Sequence, residues 1–293
     1  MELWRAETAT EEPALGVWQH HRAAEYWADR GKATRLREGV WWRHRGQGIW
    51  SPIDLLTPLA ADQVRRPTST ALAAFALVSG EDSLGTYQHV AFQDIGSYGP
   101  VRVNRDRRRE VRRAMESHEF RLLESPEELI RQGWAMASEA AQSGHLWIPP
   151  DRKAYVQHCA ELFRGTPAAV IAGFDEGGRL AGYMVSFAVG SNAYLEELFT
   201  AEWARRTFVG VGLYWCLASY WARVTGTTTI GLGRTVGGGH GVDRFKVAMG
   251  ATVLDSPARA RIQPLAAAYL TMRRPDSEVL AMTGNASGER DRQ

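Results

Sequence analysis

The run Gly233-Arg234-Thr235-Val236-Gly237-Gly238-Gly239-His240-Gly241-Val242-Asp243-Arg244-Phe245-Lys246-Val247-Ala248-Met249-Gly250-Ala251 decides how this chain is read. A strand-like segment, Thr228 to Leu232, leads into it. Glycines then make a loop, and a short helix carries Phe245-Lys246 toward the closing Gly250-Ala251. Lysine is rare here: among 35 Lys+Arg residues it stands only at Lys32, Lys153 and Lys246. An ammonium is a compact, mobile point charge, whereas a guanidinium is a rigid planar fork. Lys246 is therefore either a surface lysine near a helix end or a cation able to follow a phosphate or a developing oxyanion.

Upstream, Arg205 to Gly212 opens a long apolar helix that ends before Gly226. Before it, Ala168 to Phe174 and Arg179 to Val189 have strand character and are joined by Asp175-Glu176-Gly177-Gly178, a hairpin signal. A third strand, Ala193 to Thr200, follows the turn Gly190-Ser191-Asn192. Further back, Ser125-Pro126-Glu127-Glu128 reads as a helix start, with serine as cap, proline preset for the first turn and Glu128 completing a capping box. That helix is expected to reach Gln142, and a second one to run from Pro149-Pro150-Asp151 to Gly165. The order helix, helix, antiparallel strands, helix, strand, helix, strand predicts an α/β chain with a central mixed sheet and helices on its faces.

The first half carries weaker signals. Ala14 to Gly31 is helical in pattern, Val40 to Ile49 is strand-like around a turn, and Ser69 to Val78 suits helix or strand. Asp106 to Ser117 reads as a helix rich in arginine, where Arg102, Arg105, Arg107, Arg108, Arg109, Arg112 and Arg113 meet only Asp106 and Glu110. Such a patch either grips phosphates or is a solvated helix face. The strong helix start places a boundary near 124, giving halves 1–124 and 125–282 and a polar, disordered tail 283–293.

Composition sets the class. The 293 residues are 44% hydrophobic and 23% charged with net charge +2, the profile of a soluble globular protein. No signal peptide or membrane-spanning run is legible, so a cytoplasmic location is expected. Cys159 and Cys216 lie in apolar helical stretches and read as packing residues, and the histidine spacing predicts no metal. Trp41, Trp42 and Trp50 cluster, either lining a groove or filling a core.

The segment from Pro126 to Ile262 resembles the Gcn5-related N-acyltransferase (GNAT) superfamily, most visibly in Ala193-Tyr194-Leu195-Glu196-Glu197-Leu198-Phe199-Thr200, Arg205-Arg206 and Gly210-Val211-Gly212. In that family the strand, glycine turn and helix bind the pyrophosphate of an acyl-CoA. The physics suits any anion, because free amides and the helix dipole converge at a helix start. The family pattern has Arg or Gln three residues before the first glycine; here Thr207 stands there, with Arg206 one place early. The run quoted first is similar to the end of the second fold in the Fem-type aminoacyltransferases, through Gly233, Gly241-Val242, Phe245-Lys246 and Gly250. That resemblance implies two tandem GNAT-like halves, the N-terminal one degenerate and on the acceptor side, an aminoacyl-tRNA donor, and Lys246 at the active site. No heptad-rich helical-arm insertion is present, so a small-molecule or peptide amine is expected as acceptor in place of peptidoglycan.

Acyl transfer to an amine needs a base for the ammonium proton and a donor for the oxyanion. Glu196 and Glu197 alternate along one strand, so one of them addresses the cleft. Parity does not choose between them, and Glu197 is preferred. Donor binding is expected from Gly210, Val211, Gly212, Arg206, Arg234 and Phe245, with Arg234 as a clamp at a strand's carboxyl end. His240 is a further acid/base candidate. No Cys-His or Gly-x-Ser-x-Gly arrangement suggests a covalent intermediate. The sequence thus points to an N-acyltransferase acting by direct attack, without a permanently bound cofactor. Aminoacyl-tRNA is the first choice of donor and acyl-CoA the alternative. A non-catalytic binding module on the same fold is the rival from another class.

Overall fold

A computed structural model describes residues 18–142, 149, 151–164, 168–235, 241–273 and 278–283. His240 and the loop around it, the expected helix stop at Gly165 and the tail beyond 283 lie outside the described residues. In chain order the elements are α1 (His20–Asp29), β1 (Thr34–Arg37), β2 (Val40–Gly46), β3 (Ile49–Pro52), β4 (Ala73–Leu77), β5 (Gly85–Phe92), α2 (Arg105–Ser117), β6 (Glu119–Leu122), α3 (Glu127–Gln132), α4 (Trp134–Gln142) and α5 (Arg152–Leu162). They continue with β7 (Ala169–Phe174), β8 (Leu180–Val189), β9 (Asn192–Thr200), α6 (Val209–Trp221), β10 (Thr229–Arg234), α7 (Gly241–Ala248), β11 (Thr252–Ile262), α8 (Pro264–Arg273) and α9 (Glu278–Ala281). The mixed α/β class expected from the sequence is the one found.

Two compact units share these elements and interleave along the chain. The first comprises Met1–Trp18 and Val90–Thr252, the second Gln19–His89 and Val253–Gln293. The expected boundary at 124 falls inside the first unit, between β6 and α3.

Within the first unit the strands lie in the order β10-β9-β8-β7-β6. β7, β8 and β9 form an antiparallel meander whose β7–β8 turn is held by Asp175, whose Oδ1 accepts from the Gly177 and Arg179 amides at 3.0 and 2.9 Å. Every residue of β7 and β8 is buried, so helices cover both faces of this part of the sheet. α6 packs across the meander and supplies much of the core through Val209, Leu213, Leu217 and Trp221. The expected single helix from 125 to Gln142 is two helices separated at Gly133. A Cβ at that glycine would sit 1.9 Å from the Tyr155 hydroxyl, so the partner helix α5 presses in where no side chain exists. The expected capping box is absent as well. Pro126 holds the cap position, the Ser125 hydroxyl engages the Glu127 carboxyl, and Glu128 turns to Arg121 at 2.9 Å. α5 starts where expected, and Asp151 caps it, its Oδ1 accepting from the Ala154 amide at 2.8 Å.

In the second unit β1, β2 and β3 form an antiparallel ribbon, β3 pairs with β4 in parallel, and β11 runs antiparallel to β4 from Leu77↔Ala258 to Ala73↔Ile262. Ser69 to Val78, open between helix and strand in the sequence, contributes the strand β4. Trp42 and Trp50 join Val40, Val64, Ala74 and Val78 in the core here, so these two tryptophans fill a core and do not line a groove.

Candidate active site

The site is best approached from β9 and β10. These parallel strands are in register only from Asn192↔Thr229 to Tyr194↔Gly231. Past that point β9 continues to Thr200 and β10 to Arg234 without pairing to each other, so a notch opens between their carboxyl ends. In open α/β sheets that end of the strands is where ligands are held.

β9 is irregular at the notch. Val185 of β8 faces Glu197 and Ser186 faces Leu195, which leaves Glu196 as an extra, bulged residue. A bulge re-aims side chains and cancels the strict alternation assumed from the sequence. Glu196 is exposed. Glu197 turns inward onto α5, where His158 Nε2 lies 2.9 Å from Oε1 and 3.2 Å from Oε2, with the two side chains only 9% and 10% exposed. An imidazole facing a carboxylate at this distance donates Nε2–H to it. α5 delivers His158 on its buried face together with Tyr155, Cys159 and Leu162.

Tyr155 donates its hydroxyl to that of Tyr183 at 3.3 Å. Burial drives both phenols well above their ordinary range, and the Glu197 charge adds to the shift. Burial likewise pushes the Cys159 thiol up to about 12. Tyr155, Tyr183 and Cys159 therefore stay neutral at physiological pH, while Glu197 is paired with His158. The sequence reading missed His158, Tyr155 and Tyr183. Spacing from the Asp151 cap would have placed Tyr155, Cys159 and Leu162 on one helix face with His158 beside them, but nothing in the sequence ties that face to Glu197.

Across the notch, Lys246 is 6% exposed and donates Nζ–H to Leu232 O of β10 at 2.7 Å, the carbonyl next beyond the last β9–β10 pair. Burial lowers its pKa, while Asp243 one turn earlier raises it. Phe245 packs edge-on to Tyr214 of α6 at 5.1 Å and lies under the Arg107 guanidinium. Among the described residues no hydrogen bond or ion pair joins Lys246 to either glutamate.

The turn into α6 is built by the residues between β9 and the helix. Thr207 donates to Ala204 O at 2.8 Å, so His118 Nε2, also 2.8 Å from that hydroxyl, is the donor of their bond. Phe208 takes a left-handed conformation, φ 61°, and the helix begins at Val209. The two glycines have different duties. A Cβ on Gly212 would meet the Phe120 ring at 2.2 Å, so this glycine lets β6 and α6 approach; Gly210 faces open space apart from Thr200 Cγ2 at 3.8 Å. Val211 is buried. Arg206 is exposed beside the helix start, while Arg205 pairs with Glu139 at 3.3 Å. Arg234 is exposed at the end of β10, its Nε 3.4 Å from Thr235 O.

The structure thus brings Glu197 together with His158, sets Gly210 and Arg206 at one helix start, and seats Lys246 and Phe245 on α7 against β10 and α6. Among the described residues no group of three His, Cys, Asp or Glu side chains is placed to hold a metal, and no helix is long and apolar enough to cross a membrane.

No protein-family model and no curated protein matches the chain. Solved structures do. FemX superposes with a TM-score of 0.59 at 11% identity, covering 85% of this chain and 92% of its own. The C-terminal domain of a putative lysylphosphatidylglycerol synthetase from Agrobacterium fabrum superposes at 0.55 with 12% identity, over 91% and 99% of the two chains. L-PGS from Bacillus licheniformis gives 0.52 at 11% identity, over 89% and 98%. Over 85–91% of its length the chain shares the fold of FemX, of that C-terminal domain and of L-PGS.

Proposed function

We propose that this protein is an N-acyltransferase that moves an aminoacyl group from aminoacyl-tRNA to the amine of a small-molecule or peptide acceptor. The observation that carries the reading is the buried Glu197–His158 pair at the bulge, beside the point where β9 and β10 part. Glu197 is the general base. It takes the proton from the acceptor ammonium, the freed amine nitrogen attacks the ester carbonyl, and the tetrahedral intermediate collapses by breaking the C–O bond, the proton shed by the nitrogen passing to the departing tRNA oxygen to give its hydroxyl. His158 fixes the carboxylate's orientation. Lys246 has three N–H donors, of which Leu232 O takes one, and the ammonium supplies positive charge to the oxyanion or to donor phosphate.

Two features favour aminoacyl-tRNA as donor. The fold is that of FemX and of the C-terminal domain of a putative lysylphosphatidylglycerol synthetase, and Thr207, where an acyl-CoA binder would present Arg or Gln, is committed to Ala204 O and His118. One observation favours acyl-CoA instead: Gly210 leaves the start of α6 open to an anion.

The test supplies the full chain with charged total tRNA and with labelled acetyl-CoA in separate reactions, each with a panel of amines. Transfer from tRNA is expected, with Glu197→Gln lowering kcat by about 10²–10⁴-fold while the folded state persists. Transfer from neither donor sinks the enzyme reading; transfer from acetyl-CoA alone replaces the donor.

A further inference from the structure

The arginines of α2 and of the turn before it divide between two jobs. Arg102 donates to Gln93 O at 2.6 Å and Asp94 O at 3.1 Å, Arg107 pairs with Glu110, Arg109 lies 3.7 Å from Asp106, and Arg113 stands over the Phe208 ring. These four are spoken for. Arg105, Arg108 and Arg112 are exposed, and among the described residues they make no ion pair. Their spacing of three and four residues aligns them on one helix face. All three line a cavity of about 410 Å³ whose other walls include Pro100, Val111 and Trp215. Like charges stacked at this spacing repel one another, an arrangement that a bound counter-charge relieves.

Trp215 forms an apolar wall of that cavity. Trp215 is only 7% exposed, and no acceptor among the described residues reaches its indole N–H. A buried donor of this kind is ordinarily paired. Three guanidiniums without ion pairs and a low-dielectric wall therefore meet at one cavity in the first unit.

We infer that the α2 cavity is a binding site for contiguous phosphate groups, gripped by Arg105, Arg108 and Arg112. Guanidinium forks match phosphate oxygens two at a time, and from the first to the last of these arginines the helix rises about 10 Å, enough for more than one phosphate. The ligand is an oligophosphate or the phosphodiester backbone of an RNA strand. The inference does not depend on acyl transfer, since it concerns binding alone.

Calorimetry of the full chain with inorganic tripolyphosphate and with a short single-stranded RNA separates the two sources. The probe that binds is expected to lose at least tenfold in affinity in Arg108→Gln/Arg112→Gln. With RNA, the magnitude of the slope of log K against log salt should drop by about 1.4, since two phosphate contacts are removed. Arg113→Gln/Lys153→Gln removes the same charge elsewhere and should leave affinity within about twofold of the parent's. Thermal denaturation verifies that the variants fold, and Arg105→Gln alone repeats the test if the double variant does not. Binding of neither probe, or equal losses in the two double variants, overturns the site.

Discussion

Lys246 shows what one residue type does that its commoner relative cannot. Arginine dominates this chain, yet the position under β10 demands a small cation, because Nζ reaches Leu232 O within a buried space. A guanidinium would need more room and more acceptors. Replacing Lys246 with alanine leaves that carbonyl short of a donor and should cost about 1–3 kcal/mol, read from denaturant unfolding. The ionisation has a direction. Burial lowers the folded-state pKa below the unfolded value of about 10.4, so the unfolded chain holds the proton more tightly. Stability should therefore rise as pH climbs from the folded pKa toward 10.4, and this increment should vanish in Lys246→Ala. Only the oddity of this lysine was legible in the sequence. Its partner was not, because Leu232 O becomes available through the parting of two strands.

At the scale of elements, legibility followed how local the cause was. The β7–β8 turn and the α5 start were read correctly because Asp175 and Asp151 act on amides within four residues. The division at Gly133 and the bulge at Glu196 were not, since one lies where Tyr155 of another helix packs against the chain and the other exists only relative to β8. The same holds for the turn into α6, which rests on His118, far away in sequence and never a candidate. Burial lowers the His118 pKa, offset in part by hydrogen bonds to backbone carbonyls and by Asp175. Because the unfolded histidine takes its proton near pH 6.5, this depression makes the folded state lose stability as pH falls from 6.5 through the folded value. His89 in the second unit, depressed chiefly by burial, acts in the same sense. Equilibrium unfolding at pH 7 and pH 5 should show a smaller pH difference in His118→Gln than in the parent; an unchanged difference would reject the coupling.

At the scale of the whole molecule, the second unit is drawn from two separate stretches of the chain, Gln19–His89 and Val253–Gln293. β11 lies beside β4 in the second unit, so a cut at 124 separates neighbours in one sheet. Fragments 1–124 and 125–293 expressed singly should lack cooperative unfolding transitions, and mixing the two should restore one. Two separately folded fragments would contradict the interleaved arrangement. The sequence could not announce this, because each strand's own pattern is silent about which strand, near or distant, will pair with it.

Interleaving also sets a timetable for synthesis. β4, Ala73-Ala74-Phe75-Ala76-Leu77, is buried throughout, and its partner β11 is translated roughly 180 residues later. At about 5–20 residues per second, a ribosome exposes that apolar edge for roughly 10–40 s before the strand that covers it has been made. Unfinished chains are thus the vulnerable form of this protein, and the demand for a chaperone falls while the ribosome is still working rather than after release.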